Sequence, residues 1–437
     1  MDLRQKIFNA GVVGAGGAGF PTHVKAGAKV EYMIANGAEC EPLIHKDVEL
    51  MTNYAEEIVS GMKLMMEQVS AKKGFFGIKK KNKTAIEKIS EQIKNENIDL
   101  IFLEDYYPAG DEYELVYTAT GRLIPPKGIP LNVGCVVNNV ESLYNIYLAS
   151  KEESLINKFV TVTGAVKEPK SFWAPIGTSF KELIDHASGT TISDYGMFVS
   201  GLMMGQMTFD TDEVVTKTTG GLIVLPKDHY LINRNSRTPD DMNRIGKSAC
   251  DQCSYCTELC PRYLLGYDVQ PHKVMRSLVF SKSDENYWNQ YADLCCECGL
   301  CTLYACPEDL YPREACQQSK TEMRVQNFSF EQVKPVKVHP IKDGRKVPLK
   351  QLRKKLNVVQ YEKPTPFTKD SPTPGTVKIM LKQHAGISAV ATVDVGEMVS
   401  KGQQIGRINE GDLGANIHSS IEGVVKEVSS EFVIINN

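Results

Sequence analysis

The 437-residue chain has no long hydrophobic run and no excess of charge of one sign. No apolar stretch approaches the roughly 20 residues needed to span a bilayer, so we expect no membrane span. The 50 basic and 53 acidic residues nearly cancel, which gives no reason to expect nucleic acid as a partner. The stretch from Met1 to Lys6 leads into an amphipathic segment without the apolar core of a signal peptide. We therefore expect a cytoplasmic protein.

Cysteine is concentrated in one part of the chain. There are twelve cysteines, and ten of them lie between Cys250 and Cys316. A disulfide scaffold would be a small secreted protein with a signal sequence. In a long chain without such a signal, a local cysteine cluster indicates metal binding or redox chemistry.

The cysteine segment contains two similar runs. The first, from Cys250 to Pro261, reads C-x2-C-x2-C-x3-C-P, which is typical of bacterial [4Fe–4S] ferredoxins. The second, from Cys295 to Pro307, matches it except that the last gap has four residues. In two-cluster ferredoxins the fourth cysteine of each run binds the other cluster. The predicted ligand sets are Cys250, Cys253, Cys256 and Cys306 for one cluster, and Cys295, Cys298, Cys301 and Cys260 for the other.

Two alternatives accompany this prediction. Four thiolates also suit a structural zinc site. The remaining cysteines are expected to be ordinary thiols, and they are Cys40, Cys135, Cys296 and Cys316.

A glycine-rich segment lies near the N-terminus. Gly14, Gly16 and Gly19 satisfy G-x-G-x-x-G, and Glu39 follows about twenty residues later, as in a dinucleotide-binding fingerprint. The residues before it read as helix, whereas that fingerprint should follow a strand. Glycines that lead into a helix still present free N–H groups to an anion. The segment therefore predicts a site for a phosphate-bearing cofactor, with a purely structural loop as the alternative.

The remaining pattern predicts a multidomain α/β and α+β protein. Buried strands are expected at 32–35, 98–103 and 133–137 of an α/β domain, followed by a β-rich α+β module. Residues 334–374 are rich in Lys, Arg and Pro, which predicts a solvated linker or, alternatively, a docking strip for an acidic partner. Alternating short β runs predict a terminal sandwich. The predicted domains are 1–150, 155–230, 240–320, a linker at 321–374, and 375–437.

Four ordered segments resemble the FMN- and NADH-binding flavoprotein of respiratory complex I and its relative RnfC. They are Gly14–Lys25, Asn36–Pro42, Tyr107–Glu112 and Val137–Ser142. The module that follows resembles the soluble-ligand-binding β-grasp (SLBB) domain. The order of parts is most similar to the cobalamin reductases of propanediol-utilisation microcompartments. The resemblance implies an FMN domain, a β-grasp domain, a helical two-cluster ferredoxin-like domain and a C-terminal RnfC-like barrel-sandwich hybrid.

The resemblance also implies residue roles. The phosphate and ring of FMN would be lined by Gly14, Gly16, Gly17 and Lys25. Further flavin contacts would come from Asn36, Glu39, Tyr107, Gly110, Asn138 and Asn139. NADH would lie near Phe20, Glu41 and Glu112. Ala38 is a departure, because the family carries an acidic residue there.

The implied function is an NADH-oxidising flavo-iron–sulfur reductase with FMN and two [4Fe–4S] clusters. Its acceptor would be cobalamin or a corrinoid enzyme in a B12-dependent diol dehydratase system, inside a microcompartment with shell proteins as partners. One alternative is another acceptor, such as ferredoxin or a proline-reductase-type system. Another is an RnfC-like component of a membrane complex, docked through the basic segment 334–355.

Overall fold

The computed structural model describes residues 1–278 and 289–437, so ten residues of the predicted domain 240–320 lie outside the described chain. The helices are α1 Leu3–Asn9, α2 Thr22–Ala26, α3 Lys46–Asn53, α4 Ala55–Gln68, α5 Lys83–Ile93, α6 Glu112–Thr120, α7 Val140–Ser150, α8 Phe180–His186, α9 Tyr230–Asn235, α10 Pro239–Ala249, α11 Tyr255–Glu258, α12 Pro261–Leu264, α13 Pro271–Ser277, α14 Pro312–Val325 and α15 Leu349–Lys355. The strands are β1 Tyr32–Gly37, β2 Lys73–Lys79, β3 Ile98–Leu103, β4 Tyr106–Tyr107, β5 Cys135–Asn139, β6 Asn157–Gly164, β7 Lys170–Pro175, β8 Tyr195–Val199, β9 Gln206–Thr208, β10 Gly221–Pro226, β11 Val347–Pro348, β12 Thr376–Met380, β13 Val390–Ala391, β14 Met398–Val399, β15 Gln404–Arg407, β16 Ile417–His418, β17 Gly423–Val428 and β18 Phe432–Asn436. Within the described residues, no helix combines the length and the apolar character needed to cross a membrane.

The N-terminal part is built on a parallel four-stranded sheet with the order β3-β2-β1-β5. Met33, Ile34 and Ala35 of β1 are all buried, as expected for a parallel strand covered on both faces. Strands β2 and β5 lie on opposite sides of β1, so the order in which strands are added to the sheet reverses at β1. In open parallel sheets, ligands bind at the carboxyl ends of the strands beside such a point.

Two further sheets form the middle and the end of the chain. The middle sheet has the order β7-β6-β10-β8-β9, and the N-terminus of its helix α8 is capped by Ser179, which forms a capping box with Glu182. The C-terminal part packs the sheets β12-β18-β17-β14 and β13-β15-β16 around one apolar core. Both agree with the predicted β-grasp module and sandwich.

Part of the predicted linker is folded. Strand β11 pairs antiparallel with β4, and Leu349, Leu352 and Leu356 are buried against the N-terminal part. These leucines recur at the three- and four-residue spacing of one helical face. Four of the seven residues of α15 are basic, and because of this composition the sequence predicted a solvated linker instead of a packed helix. Several basic groups expected to be free are paired within the chain, namely Lys342 with Glu114, Arg353 with Glu362 and Lys355 with Asp309.

Lys217 joins three parts of the fold. Its ammonium donates hydrogen bonds to the carbonyl oxygens of Gly11 at 2.7 Å and Asn416 at 2.6 Å. Burial lowers the pKa of Lys217 to about 7. His384 and His418 face the same ammonium, and burial followed by the Lys217 charge lowers their pKa values to about 4 and about 3. Both imidazoles are therefore neutral above pH 6 and add nothing to the titration of Lys217 there.

We expect the Lys217→Met variant to show a changed pH dependence of stability. Between pH 7 and 10 the folded chain binds fewer protons at Lys217 than the unfolded chain does, so this group makes wild-type stability rise with pH. The urea midpoint of the wild type minus that of the variant should therefore increase between pH 6.5 and pH 9. The exposed Lys382, changed to Met, is the control and should show no such trend. A pH-independent difference would contradict the expectation.

Candidate functional site

The glycine-rich loop, residues 14–19, lies between α1 and α2 and is tied at both ends. The N–H of Gly14 donates to the carbonyl of Phe20 at 2.9 Å, and the N–H of Ala15 donates to Ser142 Oγ at 2.9 Å. A Cβ at Gly16 would lie 3.0 Å from the Cβ of Asn139, whereas a Cβ at Gly17 would meet nothing within 4 Å. A helix precedes the loop, as the sequence indicated, and the loop lies beside the end of β5.

The ends of β1 and β5 carry three of the predicted flavin residues. Asn36 and Asn139 are partners in the parallel register. Asn36 Nδ2 donates to the carbonyl of Gly110 at 3.0 Å, and Asn139 caps α7 by accepting from the N–H of Glu141 at 2.9 Å. The Oδ1 atom of Asn138 is buried and has no hydrogen-bond partner. The crevice at the strand ends therefore holds an unused acceptor.

Lys25 extends from α2 into the same crevice. Its ammonium donates to the carbonyl of Val137 at 2.8 Å and lies 5.9 Å from the ring centre of Phe20. Burial lowers the pKa of Lys25, and the Glu112 carboxylate opposes this. Burial also raises the pKa of Glu112. An unpaired buried acceptor, a half-buried cation and a glycine loop that is open at Gly17 fit an anionic, phosphate-bearing ring compound such as FMN.

Behind the loop lies a buried network of charges. Lys46 Nζ donates to Asp47 Oδ1 at 2.7 Å and to Glu141 Oε2 at 3.0 Å, and Lys158 also donates to Glu141. The N–H of Asp47 donates to Glu39 Oε2 at 3.1 Å. Burial and the adjacent Asp47 raise the pKa of Glu39 to about 8, so Glu39 holds a proton at neutral pH. Sequence reasoning missed Lys46, Asp47 and Lys158, since lysines and aspartates are ordinarily solvated.

Two other predicted cofactor residues contact neighbouring parts of the chain. The Glu41 carboxylate accepts from the N–H groups of Met203 and Met204, each at 3.0 Å, and burial raises the pKa of Glu41 to about 7. The Tyr107 hydroxyl donates to the carbonyl of Cys298 at 2.6 Å. The predicted contacts of Glu41 with NADH and of Tyr107 with flavin stay predictions.

The cysteines of the two runs are interleaved. Cys250, Cys253, Cys256 and Cys306 line one cavity. Burial and the neighbouring thiols of that set raise the pKa of Cys256 to about 12. Cys260 lies instead beside the second run, in one apolar cluster with Cys295. Burial, followed by the Cys295 and Cys296 thiols, raises its pKa. The fourth cysteine of each run therefore lies with the other run, and the role of these thiols as cluster ligands stays a prediction.

Backbone geometry supports both sets. The N–H of Leu310 donates to Cys306 Sγ and that of Glu297 donates to Cys295 Sγ, each at 3.3 Å. The extra residue before Cys306 is accommodated by one π-helical turn over Cys301–Ala305, closed by the N–H of Cys306 on the carbonyl of Cys301 at 3.2 Å. Across residues 1–278 and 289–437, no three His, Cys, Asp or Glu side chains converge on a single metal-ion position. The thiolates of an iron–sulfur cube each bind a different iron and need no such common point.

The extra cysteine Cys296 lies in a polar environment beside the second run. A hydrogen bond with Cys298 and then the Arg262 guanidinium lower its pKa to about 7. Arg262 itself lies 3.4 Å from the ring centre of Tyr113 and donates to Asp111 Oδ2 at 2.9 Å. The expectation that Cys296 is an ordinary thiol stays a prediction.

Together, a nucleotide-type crevice at the ends of parallel strands and two interleaved sets of four thiols define a flavo-iron–sulfur oxidoreductase. Family models match the chain in the same order. They are the Nuo51 FMN-binding domain at residues 7–148, the SLBB domain at 159–206, a 4Fe-4S dicluster domain at 249–311 and the RnfC barrel sandwich hybrid domain at 361–436.

Full-length relatives identify the family. The chain is 39% identical over 436 residues to the cobalamin reductase PduS of Salmonella typhimurium, covering 99% of this chain and 96% of the relative. It is 36% identical over 274 residues to a component of the Na(+)-translocating ferredoxin:NAD(+) oxidoreductase complex of Acetobacterium woodii, covering 60% of this chain and 58% of that component. A chain of an NAD+-reducing [NiFe]-hydrogenase matches with a TM-score of 0.48 and 20% identity, over 75% of this chain and 67% of that chain, which is too distant to indicate function. The chain belongs to the PduS cobalamin reductase family, which confirms the predicted family, fold class and cofactors, FMN and [4Fe–4S] clusters.

Proposed function

We propose that this protein oxidises NADH and delivers the electrons singly to cobalamin. The observation that carries the proposal is the direct contact between the FMN domain and the cysteine segment, made by the Tyr107 hydroxyl on the Cys298 carbonyl. Bound FMN would accept a hydride from NADH and release its electrons one at a time to the clusters. The 39% identity to PduS over nearly the whole chain supports cobalamin as the acceptor.

Different residues of the crevice would contact the phosphate of FMN, its ring and NADH. The loop is open at Gly17, where the phosphate would reach backbone N–H groups, and Lys25 would balance its charge. Gly14 and Gly16 are the other proposed contacts of FMN in this loop. The buried Oδ1 of Asn138, which has no partner in the chain, would accept a hydrogen bond from the flavin ring. The remaining proposed flavin contacts are Asn36, Glu39, Tyr107, Gly110 and Asn139, and those near NADH are Phe20, Glu41 and Glu112.

The cysteines are proposed to hold two cubes. The ligands of one are Cys250, Cys253, Cys256 and Cys306, and those of the other are Cys295, Cys298, Cys301 and Cys260. The proposed domains are 1–150 for FMN and NADH, 155–230 for the β-grasp, 240–320 for the clusters and 375–437 for the sandwich. The segment 321–374 is a connection that is packed in part against the FMN domain.

The relationship to PduS also suggests where the protein acts. We place it in the cytoplasm, within a microcompartment where it reactivates a B12-dependent diol dehydratase, with shell proteins as neighbours. The identity to PduS supports this placement.

The decisive experiment is an anaerobic assay of NADH oxidation against several acceptors. We expect NADH to reduce cob(III)alamin, on a sample that contains FMN and about eight irons per chain. The same sample stripped of FMN is the control and should be inactive. Reduction of ferredoxin or of a proline-reductase-type acceptor without reduction of cobalamin would favour the alternative of another acceptor. Activity that appears only with a membrane complex would favour the RnfC-like alternative, which the similarity to the Acetobacterium woodii protein supports.

A further inference from the structure

The two cysteine sets differ in how they meet the FMN domain. Residues of the FMN domain, the β-grasp and the second cysteine run form one buried apolar cluster, which we call the shared core. Its members include Leu43, Ile44, Tyr107, Leu202, Met203, Cys298, Leu300 and Leu303. Cys260, the first-run cysteine that lies with the second set, packs with Tyr267 against Tyr113 and Tyr117 of α6. The second set thus touches the FMN domain on two sides.

Hydrogen bonds reinforce the shared core. Besides the contact between Tyr107 and Cys298, Arg313 donates from Nη1 to the carbonyl of Met203 at 2.7 Å, and its own N–H donates to Thr302 Oγ1 at 2.8 Å. Met203 is also held by Glu41 of the FMN domain. This chain of contacts fixes the peptide segment around Cys298 and Cys301 relative to the strand-end crevice.

The first set lies elsewhere. Cys250 and Cys306 pack with residues of α13 and α14 in an apolar cluster that contains no residue of the FMN domain, although Cys295 of the second set also packs against it. Cys253 is exposed to solvent, and the cavity lined by this set also includes Asp251 and Glu308. The first set is therefore the one that an external acceptor can approach.

Single-electron transfer falls off steeply with separation, so these contacts fix an order. We infer that the cluster held by Cys295, Cys298, Cys301 and Cys260 takes electrons from the flavin first, that the cluster held by Cys250, Cys253, Cys256 and Cys306 passes them out, and that Tyr107 is the positioning residue for the first step. The inference rests on the proposed function. It adds the order in which the two clusters carry electrons and a positioning role for the Tyr107 hydroxyl.

Removal of single clusters tests the order. In the Cys253→Ala variant, NADH should still reduce the second-set cluster, seen by electron paramagnetic resonance, while transfer to an external acceptor falls at least tenfold. In the Cys301→Ala variant, NADH should reduce the flavin but leave the first-set cluster oxidised, although dithionite reduces it. NADH reduction of the first-set cluster in Cys301→Ala would overturn the order. If NADH reduces no cluster in the wild type, the proposed function itself fails, which is a separate outcome.

Tyr107→Phe tests the hydroxyl while keeping both clusters. The variant leaves the Cys298 carbonyl without its donor, so we expect NADH-driven reduction of the second-set cluster to slow about tenfold and its reduction potential to shift. The first-set potential, measured by titration on the same sample, should not move. Tyr106→Phe is the matched control, because Tyr106 donates to Glu114 and not to the cysteine segment. Equal potentials and rates in Tyr107→Phe and wild type would refute the positioning role.

Discussion

The Cys253→Ala variant, purified without oxygen, should contain about four irons per chain where the wild type contains about eight. Cys306→Ala, more than fifty residues away in the sequence, should give the same loss. The reason is that both thiols line the cavity of the first set, so either substitution removes a ligand of the same cube. Iron and sulfide analysis, with the absorbance near 400 nm, measures the result.

Double variants make the pairing of the two runs testable. Cys253→Ala/Cys306→Ala should lose no more iron than either single variant, since one cluster is already gone. Cys253→Ala/Cys260→Ala should lose nearly all iron, because Cys260 lies with the second run. Cys135→Ala, at a buried thiol of the N-terminal sheet, is the control and should keep the full complement. Near-complete iron loss in the first double variant would show that each run holds its own cluster.

The parts of the fold that the sequence predicted are those with local signals. Strand β3 at Ile98–Leu103 has the predicted bounds, and β1 extends the predicted stretch to Gly37. Both are short apolar runs that end at polar or turn residues. The exchange of the fourth cysteines could also be predicted, because Cys-Pro after each run gives those side chains a fixed direction. Strand β2 was missed, since lysines are its first and last residues and glycines interrupt it. A Cβ at Gly74 would lie 2.8 Å from the Met62 methyl carbon, so a larger residue there would displace that side chain.

The parts that could not be predicted depend on contacts between distant segments. Glu141 and Lys158 are fully buried only because the FMN domain and the β-grasp sheet enclose them together. No local sequence pattern predicts such a buried ion pair, because isolated charged residues are ordinarily exposed to solvent. The same holds for the contact of Tyr107 with Cys298, which joins residues 191 positions apart. The motif predicted a flavin role for Tyr107, while its partner in the cysteine segment is a product of the tertiary fold.

Lys25→Met should weaken FMN binding more than any other single change in the crevice. Lys25 is half-buried, burial lowers the pKa of its ammonium, and among the described residues that ammonium donates to the Val137 carbonyl alone. An anionic phosphate would relieve the cost of burying this charge, whereas Met retains the length of the side chain without the cation. Loss of one charge-assisted hydrogen bond, worth about 1.5–3 kcal/mol, corresponds to an FMN dissociation constant roughly 10- to 100-fold higher.

The measurement is a titration of the flavin-free protein with FMN, followed by the quenching of flavin fluorescence, together with the flavin content after gel filtration. Lys29→Met removes a lysine four residues further along that is exposed, so it should bind FMN as the wild type does. Both variants should keep about eight irons, because neither lysine lies in a cysteine set. If Lys25→Met binds FMN with unchanged affinity, the buried ammonium serves only to hold the end of β5, and the phosphate must lie elsewhere in the crevice.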